Sequence, residues 1–251
     1  MTETPAAPSP LQPVDEDWQR ALAIVAHPDD LEFGAAAAVA RWTRQGKEVV
    51  YVLLTSGEAG IDAMDPAEAG PLREQEQRDS AAIVGVSQVE FLGLPDGVLE
   101  YGLPLRRELS RLIRRYQPEI VITTNFRDSW DEAGDALNMA DHIVTGRAVL
   151  DAVRDAANRW VFRDQIDGGL EKWGGVRQVW ASSSPRAKHA VDTTDTFDLG
   201  VRSLQAHAAY LRGLGGSFDA EEFLEGAARQ TGSRLGVKYA AGFEVFRFDL
   251  F

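Results

Sequence analysis

The chain has 251 residues, and 39 acidic side chains against 26 basic ones give it a formal charge of −13. Such a surface repels phosphate backbones, which argues against a nucleic-acid binder working through bulk charge. The chain has no cysteine, so disulfide frameworks, thiolate metal sites and cysteine nucleophiles are excluded; any metal must be held by Asp, Glu and the four histidines.

Residues 1–14 carry Pro5, Pro8, Pro10 and Pro13 among Ala, Ser and Thr, and are expected to form a disordered tail. They show neither the basic start nor the apolar segment of a secretory signal, and no later run approaches the roughly 18 apolar residues of a membrane span. A cytoplasmic protein is the expectation. Residues 15–251 are expected to form one domain with an irregular C-terminal third.

Within that stretch an apolar run at 21–26 predicts a buried strand, and a helix is expected over 31–45 with Gly46 as its stop. Residues 49–54 (VVYVLL) are β-branched and continuous, as in a strand covered on both faces. A helix over 73–84 closed by Gly85 and a strand at 89–92 follow. Leu105, Leu109, Leu112, Ile113 and Tyr116 lie at helical spacing, with Arg106, Arg107, Arg111, Arg114 and Arg115 expected on the solvated face. A fourth strand is expected at 119–123, then a helix over 139–156 capped by Asn138. Farther on, a strand is expected near 176–182, a helix at 196–211 and a last strand at 243–250. Strands alternating with helices in this way predict a three-layer α/β/α Rossmann-like fold with a mostly parallel, doubly wound sheet.

In such sheets ligands bind at the carboxyl ends of strands. The first strand runs directly into Ala26-His27-Pro28-Asp29-Asp30-Leu31-Glu32-Phe33-Gly34. His27 and Asp30, three apart, can lie together over one turn, while Asp29 projects to a different side. A second junction, after the fourth strand, offers Asp141-His142. His27, Asp30 and His142 would form an open His2Asp site of the kind that suits zinc, with a free carboxylate beside it.

These stretches resemble the PIG-L or LmbE-like zinc N-deacetylases, the family of the GlcNAc-phosphatidylinositol de-N-acetylase. The resemblance is carried by AHPDDLEFG (26–34), TSGEAG (55–60), REQEQRDSAAIVGV (73–86), FLGLPDG (91–97) and ADH (140–142), and more thinly by 192–207 and the C-terminal GVKYAAGFEVFRF. It implies one zinc per chain, or Fe2+, held by His27, Asp30 and His142, with Asp29 as general base and Asp141 supporting the ligands from behind. It implies that Arg73 reaches the polar head of the substrate. The implied reaction removes an N-acetyl or short N-acyl group from an amino-sugar-type small molecule such as a GlcNAc derivative.

Two departures stand out. Close family members read His-x-Asp-His at the second motif, where this chain has Met139. Methionine cannot donate a proton, which leaves open a shuttle through Asp29, another donor, or a metal-binding homologue without turnover. The small residues 35–38 replace a Gly-rich turn, which reads as packing. An amidase or deacylase of a larger conjugate is the rival within hydrolysis.

Other polar groups read less sharply. Asp96, in a Pro-Asp-Gly turn, carries ordinary turn chemistry and is also a candidate substrate contact. Trp130, in the acidic segment 125–137, can stack on a sugar or be plain loop packing. His207 is expected on a helix face or behind the site, and His189 at a surface or strand edge. The Gly213–Gly216 run follows a helix, so it is a turn and not a nucleotide fingerprint. A small N-acylated molecule is the expected partner, and homo-oligomerisation is left open.

Overall fold

A computed structural model describes residues 9–215 and 218–248. In chain order the elements are β1 (Gln12–Pro13), β2 (Arg20–Val25), α1 (Ala36–Arg44), β3 (Glu48–Leu53), α2 (Pro66–Ile83), β4 (Gln88–Phe91), α3 (Leu103–Tyr116), β5 (Ile120–Thr124), α4 (Ala140–Ala157), α5 (Arg163–Asp167), β6 (Gln178–Ser182), β7 (His189–Asp192), α6 (Phe197–Gln205), α7 (Ala208–Gly213), α8 (Ala220–Leu235) and β8 (Ala240–Arg247). The strands form one eight-stranded sheet in the order β1-β7-β8-β6-β5-β2-β3-β4. Only β8 runs against its neighbours, pairing antiparallel with both β6 and β7.

Side-chain alternation along the central strands builds the layers. Ala21, Ala23 and Val25 of β2, with Val49, Tyr51 and Leu53 of β3, pack on one face against Val39 and Trp42 of α1 and Ala81 of α2. Leu22, Ile24, Val50 and Val52 face the other way, onto Leu105, Leu109 and Ile113 of α3 and Val149 of α4. Trp18, Trp42 and Trp180 close the first layer with ring centroids 5.4–6.0 Å apart.

The chain leaves β2 toward β3 and β4, then returns to β5 on the other side of β2. Strand order therefore reverses between β2 and β5, which opens a crevice at their carboxyl ends. The segments holding His27 and His142 leave the sheet there.

Several expectations need correction. The expected tail is shorter than 14 residues: Leu11 and Val14 are buried, and Gln12–Pro13 pairs in parallel with β7, while residues 1–8 lie outside the described residues. The expected helix over 31–45 begins only at Ala36, because Asp29 takes a left-handed φ of 91° and residues 27–35 form successive turns. α2 starts upstream of the expected helix, where Asp65 accepts from the Ala67 N–H at 2.9 Å and Pro66 occupies the first helical position. The helix expected over 196–211 is two helices, broken at buried His207.

The last strand begins earlier than expected, at Ala240. β1, α5, β7 and α8 were not anticipated. Arg114 is not on a solvated face. It is buried, and its guanidinium donates to the backbone carbonyls of Ala156, Phe162, Asp155, Asn158 and Val161 and to Gln165 Oε1. No helix among the described residues is long and apolar enough to cross a membrane.

Candidate active site

The crevice between β2 and β5 holds a cavity of about 570 Å³ whose walls include His27, Asp29, Asp30, Asp96, His142 and Trp130. The turn after β2 presents the first motif. Asp30 Oδ2 accepts from the His27 backbone N–H at 3.0 Å, which fixes the carboxylate over that turn. His142 lies in the first turn of α4, and its Nε2 stands 2.9 Å from Asp30 Oδ1 and 3.3 Å from His27 Nδ1. One donor atom from each of His27, Asp30 and His142 thus falls within 4.8 Å of the others, a cluster that could hold a metal ion.

The donor set fits a divalent cation. Two imidazole nitrogens converge on one point beside a carboxylate, and each ring is held from behind through its other nitrogen. His27 Nε2 faces Asp141 Oδ2 at 3.2 Å and Asp96 Oδ1 at 3.0 Å, while His142 Nδ1 faces Asn138 Oδ1 at 2.9 Å. Anchoring the far nitrogen fixes the tautomer that offers the near one as a ligand.

These supports are themselves held by backbone. Asp141 accepts from the N–H groups of Gly97 and Leu99, and Asp96 from that of Ala59. Asn138 donates to the carbonyls of Asn125 and Arg127. Burial pulls the His27 pKa down, but Asp141, Asp30 and Asp96 together push it up to about 12. Asp30 is shifted the other way: burial would raise its carboxyl, yet His142 and His27 hold it far below the usual carboxylate range. Both shifts register the pull of this point for positive charge.

Asp29 points elsewhere. Its left-handed backbone is held by Gln77, whose Oε1 accepts the Asp29 N–H at 3.0 Å, and Gln77 Nε2 is fixed by Glu32 Oε1 at 2.9 Å. Burial pushes the Asp29 carboxyl up to about 7 against the pull of Arg73, whose Nη2 donates to Asp29 Oδ2 at 2.8 Å. Arg73 is buried, and it also donates to the carbonyls of Pro28 and Gly57. A Cβ at Gly57 or Gly60 would collide with its guanidinium, which accounts for both glycines of the TSGEAG stretch. Arg73 stacks on Tyr210, 4.2 Å from the ring centre.

The fold therefore brings together every residue singled out in the two motifs, but it changes the work of three. Arg73 is occupied by Asp29 and backbone carbonyls, and Asp96 by His27 and Ala59. Both line the cavity while engaged by protein groups, and Arg73 Nε has no hydrogen-bond partner. Asn138 orients His142 instead of capping α4, whose N-cap is Met139. Trp130 does reach the cavity, with its ring edge-on to His142 at 5.5 Å, and Met139 lies at the rim, 52% exposed.

His207 is buried behind the site, 3.7 Å from Glu32 Oε2, and His189 begins β7, away from it. Sequence reasoning missed Gln77, Tyr210, Phe33 and Phe223. Gln77 carried a local signal, four residues beyond Arg73 on the same helix face, and Phe33 lies within the 26–34 stretch itself.

Comparison with known proteins identifies the family. The family model described as GlcNAc-PI de-N-acetylase (PIG-L) matches residues 22–153. The chain is 28% identical to the diacetylchitobiose deacetylase of Thermococcus kodakarensis over 76% of this chain and 70% of that protein. It is 31% identical to the mycothiol S-conjugate amidase of Streptomyces coelicolor, over 57% of this chain and little more than half, 54%, of that protein. The structure superposes on the N,N'-diacetylchitobiose deacetylase of Pyrococcus horikoshii with a TM-score of 0.82 and 26% identity, covering 93% of this chain and 85% of that one.

Proposed function

The chain belongs to the GlcNAc-PI de-N-acetylase family, and from that premise we propose that it is a metal-dependent N-deacetylase of an amino-sugar-type small molecule. The observation that carries the reading is the division of labour between two adjacent carboxylates. Asp30 faces the two imidazoles, and Asp29 faces Arg73 with its pKa raised to about 7.

His27 Nδ1, Asp30 and His142 Nε2 would hold the cation; three nitrogen and oxygen donors with an open fourth position suit zinc. Bound there, it supplies the positive charge that polarises an amide carbonyl and acidifies water. Asp29 accepts the proton of the attacking water as the new C–O bond forms. The C–N bond then breaks, and the amine nitrogen needs a proton to leave.

Met139 has none to give. Asp29 returns the one it took, which a carboxyl titrating near 7 does more readily than an ordinary aspartate. The products are acetate and a free amine, and the atoms balance with one water consumed. Arg73 holds the Asp29 carboxylate in place through both transfers. Trp130 is the residue of the expected substrate set left free to pack against the sugar.

The test is metal analysis alongside acetate release. We expect about one zinc per chain, lost in His27→Ala. Asp29→Asn, chosen because asparagine tolerates the left-handed backbone, should keep the metal and lose hydrolysis. Full zinc occupancy in His27→Ala would overturn the ligand set, and an active Asp29→Asn would overturn the base.

A further inference from the structure

The active-site cavity opens into a second compartment. Phe33, Trp130, Ser183 and Phe223 line both the 570 Å³ cavity and a neighbouring one of about 530 Å³ that runs under α8. The junction is aromatic: Phe33 meets Phe223 edge-on at 5.6 Å, and Phe218 packs against both at 5.9 and 5.5 Å. Phe223 is 50% exposed and Trp130 38% exposed. Apolar rings left in water around the mouth of a cavity mark a surface that a ligand covers.

The charges weigh against one class of ligand. Beside the metal centre the cavity walls carry Asp29 and Asp96, and the one arginine among them, Arg73, has its terminal nitrogens donating to Asp29 and to backbone carbonyls. In the second compartment Asp131 and Glu132 stand with one arginine, Arg234, whose Nε donates to the Ser9 carbonyl. Away from the metal centre, a phosphate or carboxylate on the substrate would meet more carboxylates than guanidinium groups.

We propose that the compartment beyond Phe33 and Phe223 is a subsite for an uncharged aryl group, so that the preferred substrate is a neutral N-acetylated amino sugar carrying an apolar substituent. The inference rests on the deacetylase reading of the adjoining site. An aryl ring is the occupant that matches both observations, since it offers faces and edges to Phe33, Phe197 and Phe223 of the lining and carries no charge into an acidic pocket.

Three compounds test it: the phenyl and methyl glycosides of N-acetylglucosamine, and N-acetylglucosamine 6-phosphate. Each is measured for acetate release by the zinc-loaded protein, and for equilibrium binding to Asp29→Asn by quenching of tryptophan fluorescence. The phenyl glycoside should exceed the methyl glycoside by at least about tenfold in kcat/KM and in affinity, the scale of discrimination an apolar pocket provides. The 6-phosphate should be the poorest of the three. Phe223→Ala, and separately Ala227→Trp, which fills the compartment from the exposed face of α8, should bring the phenyl-to-methyl ratio toward one.

A wild-type ratio within twofold, or preference for the phosphate, overturns the subsite. Aryl-selective binding with no acetate released would keep the subsite and remove the deacetylase reading. Equal hydrolysis of all three would do the reverse.

Discussion

Replacing Gln77 with methionine tests how the general base is held. Gln77 is buried, and it links Asp29 to Glu32 through one accepted and one donated hydrogen bond. Methionine keeps the length and apolar volume and removes both bonds. The Asp29 N–H is then left buried without a partner, which costs about 1–3 kcal/mol. Glu32 loses one donor to its carboxylate, worth about 1.5–3 kcal/mol, and keeps Ser80 Oγ at 2.7 Å.

Together the loss is about 2.5–6 kcal/mol, a large part of the roughly 5–15 kcal/mol that stabilises a domain. For a chain of this size it lowers the melting temperature by about 5–24 °C. The left-handed backbone at Asp29 holds about 1–3 kcal/mol of strain that Gln77 helps to contain, so the turn should relax and move the carboxylate. A displacement of about 1 Å is enough to reduce kcat on the order of a hundredfold while the metal ligands stay put. Circular-dichroism melting, zinc content and acetate release on the same preparation check all three. Gln77→Met with a melting point within about 2 °C of wild type and kcat within about twofold would refute the reasoning.

Arg114→Met should destabilise the fold by about 3–5 kcal/mol, read from urea midpoints, because one buried guanidinium serves carbonyls at the end of α4 and the start of α5; a change under about 1 kcal/mol would contradict that role. Met139→His restores a proton donor at an exposed rim position and should raise kcat by about tenfold or more at unchanged stability. An unchanged kcat would mean that Asp29 already serves both transfers without hindrance. Burial lowers the His207 pKa, but the Glu32 carboxylate outweighs it and holds the value above 6.5; Glu32 is lowered below 4.5, as His207 and the hydrogen bonds from Ser80 and Gln77 outweigh its own desolvation. The pair's contribution is therefore full between 4.5 and 6.5, and is lost as pH rises through the folded His207 value or falls through that of Glu32. His207→Gln should lose most stability relative to wild type near pH 6 and least near pH 9, and the opposite trend would refute the pairing.

The fold was legible wherever burial wrote a continuous pattern. β2 and β3 are covered on both faces and read as unbroken apolar runs, and α3 has one sharp apolar stripe. What stayed hidden depends on partners distant in sequence. β1 is two residues long, and its pairing with β7 spans more than 170 positions. α8 had legible ends, an Asp219 side chain on the N–H groups of Glu221 and Glu222 and a left-handed Gly236, but its exposed surface left little apolar periodicity between them. Arg114 looked like its four arginine neighbours because nothing local tells which face of α3 the segment after α4 will cover.

The same distinction holds within the site. His27, Asp29 and Asp30 could be singled out because one turn presents all three, and His142 because a doubly wound sheet can set the junction after β5 beside the one after β2. The supports for that turn come from α2 and from the 96–99 segment, and a conservative-looking feature of the sequence conceals their work. Gly57 and Gly60 read as a loop, yet their missing side chains admit Arg73, and Arg73 in turn admits a buried, negatively charged Asp29. A base whose pKa lies near 7 needs both influences at once: burial to raise it and a fixed cation to keep the anion attainable. Remove the glycines and the cation moves; remove the cation and burial alone would hold Asp29 protonated. The two glycines are thus as much a part of the acid–base chemistry as the carboxylate.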